Sequence, residues 1–147
     1  MQYLNKVKLE FLSRSENEAF ARTAVAAFAA QLDPTVEELT EIKTAVSEAV
    51  SNAIIHGYRG ENDEKVILEA SLTADRKVIV SVEDRGVGIE NVEQAREPLF
   101  TSVEGEERSG MGFTVMESFT DRLEVTSKPG EGTRVVMMKQ LDQVYEL

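Results

Sequence analysis

A chain of 147 residues without a cysteine has the length of one domain, long enough to bury about two-thirds of the surface its unfolded form exposes, and it excludes disulfides and thiolate metal sites. Its formal net charge of -11, from 27 acidic against 16 basic residues with no local basic patch, argues against direct binding to a nucleic-acid backbone. The opening MQYLNKVKLEF lacks the apolar run of a signal peptide, and no run of about 18 apolar residues occurs to span a bilayer, so a soluble, cytoplasmic single domain over residues 1–147 is expected, with no membrane contact.

Val7, Leu9 and Phe11 alternate with lysine and glutamate, the period-two signature of a half-buried strand. Ser15-Glu16-Asn17-Glu18 then reads as a capping box opening a first helix, with Phe20, Ala24, Phe28 and Leu32 on its buried face and Asp33-Pro34 at its end. A second capping box, Thr35-Val36-Glu37-Glu38, opens a second helix. Its apolar positions Val36, Leu39, Ile42, Val46, Ala49, Val50 and Ala53 keep helical spacing.

Opposite that stripe the same helix sets Glu41, Ala45, Glu48 and Asn52, with His56 drifting toward the edge and Gly57 closing the stretch SEAVSNAIIHG. The stripe is either a solvated face or a site. A carboxylate one turn from a carboxamide can polarise an attacking hydroxyl or water while the amide oxygen ligates Mg2+, a hard ion usually shared with substrate phosphates. His56, the only histidine, reads as a hydrogen-bonding residue near the helix end, because a lone histidine makes no metal site.

The segment YRGENDEK is polar and turn-like, and VILEASL and VIVSVED read as strands joined by the short connection ADRK. Asp84-Arg85-Gly86-Val87-Gly88 follows directly: its glycines permit close approach of a flat ligand, and its carboxylate can accept from an exocyclic amine, although a plain strand-ending turn has the same composition. Residues 91–97 suggest a short helix stopped by Pro98. TSVEGEERSG is a charged, glycine-bearing loop leading into a helix with Phe113, Val115, Met116 and Phe119. Amides uncovered by Gly110 and Gly112 at that helix start, with Arg108 before them, suit an anion, or simply a glycine-rich helix entry; no GxxxxGK[ST] exists, so this is not a P-loop. Leu123–Ser127 and Thr133–Lys139 close the chain as a strand pair across KPGEG. This order suits an α+β layer, an antiparallel or mixed sheet with helices on one face and the other face free.

ExxxNxxxHG on a helix, DxGxG after a strand, GMG opening a helix and Gly132-Thr133 entering the last strand form a combination that resembles the Bergerat-type (GHKL) ATP-binding fold of gyrase, histidine kinases and mismatch-repair ATPases. Glu48, Asn52, Asp84, Gly86, Gly88, Gly110, Gly112 and Thr133 fall on its motif positions. The resemblance implies ATP and Mg2+ as cofactors, Glu48 as general base, Asn52 as Mg2+ ligand, Asp84 as adenine reader with Thr133 nearby, and loop 101–110 as a lid. SRSENEAFARTAVAAFAAQLDPTVEELTEIKTAVSEAVSNAIIHGY, EPLFTS and ERSGMGFTVMESF are more closely similar to the sporulation anti-sigma-F factor family, over nearly the whole chain. That resemblance implies a homodimer that sequesters the sporulation sigma-F factor when ATP is bound and phosphorylates a serine of an anti-anti-sigma factor. Arg22 matches that family's partner-binding arginine and Arg108 its lid arginine. Where the family's lid usually reads Thr-Thr-Lys-Pro, this chain has Thr101-Ser102-Val103-Glu104, leaving Arg108 more of the charge neutralisation. The alternatives are a stress-response anti-sigma kinase, which would share the motifs and differ in partner, and a nucleotide-gated binding module without transfer. A histidine autokinase is disfavoured, since the only histidine lies inside the nucleotide helix.

Overall fold

Alternation of apolar and charged residues places strand β1 (Tyr3–Leu12) at a sheet edge, where Val7, Leu9 and Phe11 stand opposite Ala70, Leu68 and Val66 of the antiparallel β2 (Lys65–Thr73). The computed structural model describes residues 2–97 and 112–143. β3 (Lys77–Asp84) follows β2 antiparallel, but its other neighbour is β5 (Gly132–Gln140), with β4 (Arg122–Lys128) outermost. The order is β1-β2-β3-β5-β4 in one fully antiparallel sheet.

Val66, Leu68, Ala70 and Leu72 of β2, Val78, Val80 and Val82 of β3, and Val135 and Met137 of β5 are buried on one face, in one core with the helices. Each of these valine, leucine and methionine side chains stabilises the fold by about 1.5–3 kcal/mol relative to exposure. The opposite face carries Glu69, Glu83 and Arg134 beside half-buried Ile67, Ile79, Val136 and Met138. In the helical layer, α2 (Val36–Asn52) lies between α1 (Glu16–Ala29) and α4 (Gly112–Phe119), while α3 (Val92–Ala95) is a single turn near β4.

The capping box at Thr35 is present: its hydroxyl accepts from the Glu38 amide at 3.0 Å, and the Glu38 carboxylate accepts from the Thr35 amide at 2.9 Å. The one expected at Ser15 is absent. Ser15 is already helical (φ -59°, ψ -30°), whereas a capping side chain needs extended backbone, and the Glu18 carboxylate instead accepts from the Ser47 hydroxyl on α2.

The buried face of the first helical segment also differs: it is Ala21, Val25, Phe28 and Leu32, and Phe20 is 59% exposed. Steps of four alone drift around a helix of 3.6 residues per turn, and the observed steps of four, three and four hold one face. On α2, Val36 is exposed, and the polar stripe is neither solvated throughout nor free of packing: Ala45 is buried and Glu41 is ion-paired with Lys139 of β5.

Candidate functional site

Between α2, the ends of β3 and β5, and α3 the fold leaves a cavity of about 780 Å3. Its inner end is set by Asp84, the last residue of β3, whose side chain faces the helices like Val82 and Val80, two and four residues before it. Asp84 is 5% exposed. Burial pushes its carboxyl up from 3.8 to about 6, against hydrogen bonds from backbone at Gly86 and Thr133 that favour the anion. The Gly86 N–H donates to Oδ1 at 2.9 Å.

The glycines around Asp84 serve the chain's own close approaches. A Cβ on Gly57 would lie 2.6 Å from the Asp84 carboxyl carbon, and one on Gly86 only 1.8 Å from the Gly57 carbonyl oxygen, which also accepts from the Val87 amide at 2.9 Å. Gly88 has φ +75° and would bring a Cβ to 2.0 Å from the Lys128 carbonyl oxygen. The room that DxGxG suggests for a ligand is thus taken at Gly86 by the backbone after α2 and at Gly88 by the Lys128 carbonyl, although Gly88 also lines the cavity.

Thr133 lines the cavity beside Asp84, its cross-strand partner. Its hydroxyl lies 2.8 Å from that of Ser127, which accepts from the Ile89 amide at 2.7 Å and contacts the Gly132 carbonyl at 2.9 Å. Ser127 thereby joins β4, β5 and the loop after β3. Tyr58 buttresses the same loop: its phenol donates to the Lys65 carbonyl at 2.5 Å and accepts from the Arg85 amide at 2.7 Å, and burial pushes the hydroxyl's pKa up. Neither residue was expected from sequence. The available signals were the Ser127 position opposite Thr133 across a short turn and the Tyr58 position just past the helix-ending glycine.

Asn52 and His56 share the helix wall of the cavity. They stay in line because α2 continues into a π turn (Ala53–Gly57), closed by the Tyr58 amide on the Ala53 carbonyl at 3.0 Å, which winds less per residue than an α-helix. His56, expected to be structural, therefore faces the cavity. Gly112, at the start of α4, packs on Asn52: a Cβ there would lie 2.8 Å from the Asn52 amide nitrogen. Glu48 is half-buried one turn earlier on α2, outside the cavity lining.

Arg22 sits on α1, 3.7 Å from Glu18, its side chain 38% exposed rather than fully presented. Arg108, Gly110 and the lid 101–110 lie outside the described residues. Among the described residues no cluster of three or more His, Cys, Asp or Glu could cage a metal. The carboxamide oxygen of Asn52 on the cavity wall fits a hard cation that arrives with phosphate oxygens. No helix among the described residues is long and apolar enough to cross a membrane.

The profile of the histidine kinase-like ATPase domain family matches residues 11–139. An anti-sigma F factor of Clostridium perfringens (strain SM101 / Type A) is 62% identical over 138 residues, 94% of this chain and 98% of that protein. One of Clostridium beijerinckii is 59% identical over 140 residues, covering 95% and 97%. Among solved structures, the RsbU and RsbW domains of Rv1364c from Mycobacterium tuberculosis align with a TM-score of 0.67 at 18% identity, over 93% of this chain and 32% of that one. The blue-light activated histidine kinase domain of Erythrobacter litoralis EL346 aligns at 0.56, with 21% identity over 84% and 60%. These likenesses carry the fold, and the sequence relatives carry the branch: the chain belongs to the histidine kinase-like ATPase domain family, within its group of anti-sigma F factors.

Proposed function

We propose that this chain is an ATP-binding anti-sigma factor and protein serine kinase, acting as a homodimer that holds the sporulation sigma-F factor in its ATP state and phosphorylates a serine of an anti-anti-sigma factor. The observation that supports it best is the buried carboxyl of Asp84 at the inner end of a cavity walled by Asn52, in a chain 62% identical to an anti-sigma F factor. Ionised Asp84 accepts from the exocyclic amine of adenine where its carboxylate meets the cavity, with Thr133 beside it and Gly88 in the wall. Asn52 holds Mg2+, which spreads the charge of the transferring phosphoryl group. Gly112 with Gly110 and Arg108 receives the phosphates, Glu48 accepts the proton of the attacking serine, and Arg22 meets the protein partners.

Glu48→Gln keeps the shape and removes the base, so phosphorylation of an anti-anti-sigma partner should slow by about 10²–10⁴-fold while ATP affinity stays within about twofold. Unchanged transfer by that variant would remove Glu48 from the role. The position of Glu48 outside the cavity lining favours one second reading, a nucleotide-gated binding module without transfer. Labelled ATP with candidate partners separates the two, since binding without any phosphoprotein supports the module.

A further inference from the structure

The ligand proposed for the cavity is a polyanion, and the chain around it carries a formal net charge of -11, so the protein's overall field opposes entry. Among the described residues lining the cavity, Asp84 and Glu90 are acidic, and Arg59 is the only lysine or arginine. Arg59 is exposed and follows the π turn that carries His56. Its backbone is left-handed at φ +51°, and Gly60 beside it is left-handed at φ +81°. Glycine or asparagine fills such a position with less strain, so the turn itself gives no reason for an arginine. Strained non-glycine residues gather at functional sites, and Arg59 has no ion-pair partner among the described residues.

We propose that Arg59 is a nucleotide-recognition residue: a cation on the cavity wall that attracts the phosphate-bearing ligand and offsets the acidity of the surrounding chain. This rests on reading the cavity as an ATP site. An arginine suits the task because its guanidinium is a weakly hydrated cation whose planar fork of donors matches phosphate oxygens.

Calorimetric titration of the full chain with ATP, ADP and adenosine tests it, using Arg59→Gln to remove the charge and Arg59→Lys to keep it. Arg59→Gln should weaken ATP and ADP by about three- to tenfold at low ionic strength and leave adenosine unchanged, with the deficit shrinking at about 0.5 M salt. Arg59→Lys should recover most of the loss. Wild-type affinity for ATP in Arg59→Gln overturns the proposal, as does an equal loss for adenosine, which would place the side chain against the base as packing. Failure of the unsubstituted chain to bind ATP at all would overturn the cavity assignment and this inference with it.

Discussion

At the end of β3, Asp84 is held nearly dry with its carboxyl raised to about 6, so the folded chain binds a proton there more tightly than the unfolded chain does. The sign follows: this group's contribution to stability is fully present below its unfolded value near 3.8 and is lost as pH rises through about 6. Asp84→Asn should therefore raise the stability of the ligand-free chain at pH 7.5 by up to about 3 kcal/mol, with the gain vanishing toward pH 4, as read by urea unfolding across pH. The same variant should lose adenine nucleotide affinity at least about tenfold, because an amide presenting its NH2 opposes another amine. In the unsubstituted chain, nucleotide affinity should fall as pH drops below about 6. Asp84 and Asn52 were legible as candidates because each stands at a fixed offset from a glycine or a helix turn, and Thr133 through the family resemblance; all three line the cavity. Ser127 and Tyr58 were not, because their partners Ile89 and Arg85 are brought to them by pairing between distant segments.

Helix α2 and the π turn after it decide where the site points. Gly57 closes that turn against Asp84, and Gly60 closes the next bend with open space around it. Gly57→Ala should cost about 1–3 kcal/mol through overpacking and also displace the Asp84 carboxylate, lowering nucleotide affinity by about tenfold or more. Gly60→Ala meets only its own φ of +81°, so it should cost about 1–2 kcal/mol and leave affinity unchanged. Thermal unfolding and calorimetry on the pair separate the two effects; equal affinities would deny Gly57 its part in the site. The sequence shows the glycine and the four-residue spacing, with His56 drifting toward the edge of the stripe, but an i to i+5 hydrogen bond has no local signature, and that turn keeps His56 on the cavity wall. Capping was legible at Thr35 and misleading at Ser15 for a similar reason. The Glu18 carboxylate is taken by Ser47, a tertiary partner 29 residues away.

Across the molecule, the alternating strands and the helical layer follow from residue periodicity, whereas the place of β5 between β3 and β4 does not, since local patterns carry no strand order. That placement makes the cavity a joint of the whole fold: α2, β3, β5, α3 and α4 each supply part of its wall. A ligand bound there holds the helical layer to the sheet and should stabilise global unfolding, by about 2.7 kcal/mol at a hundred times its dissociation constant. For a domain of this length that corresponds to a rise in Tm of about 8 °C with ATP and Mg2+. If Asn52 is the metal's ligand from the protein, chelating Mg2+ should remove part of this rise in the unsubstituted chain, and in Asn52→Ala the smaller rise left should be indifferent to chelation. A chelator-sensitive rise of full size in Asn52→Ala would move the metal to another donor, whereas a full-size rise that chelation leaves untouched in the unsubstituted chain would mean that the nucleotide binds without it.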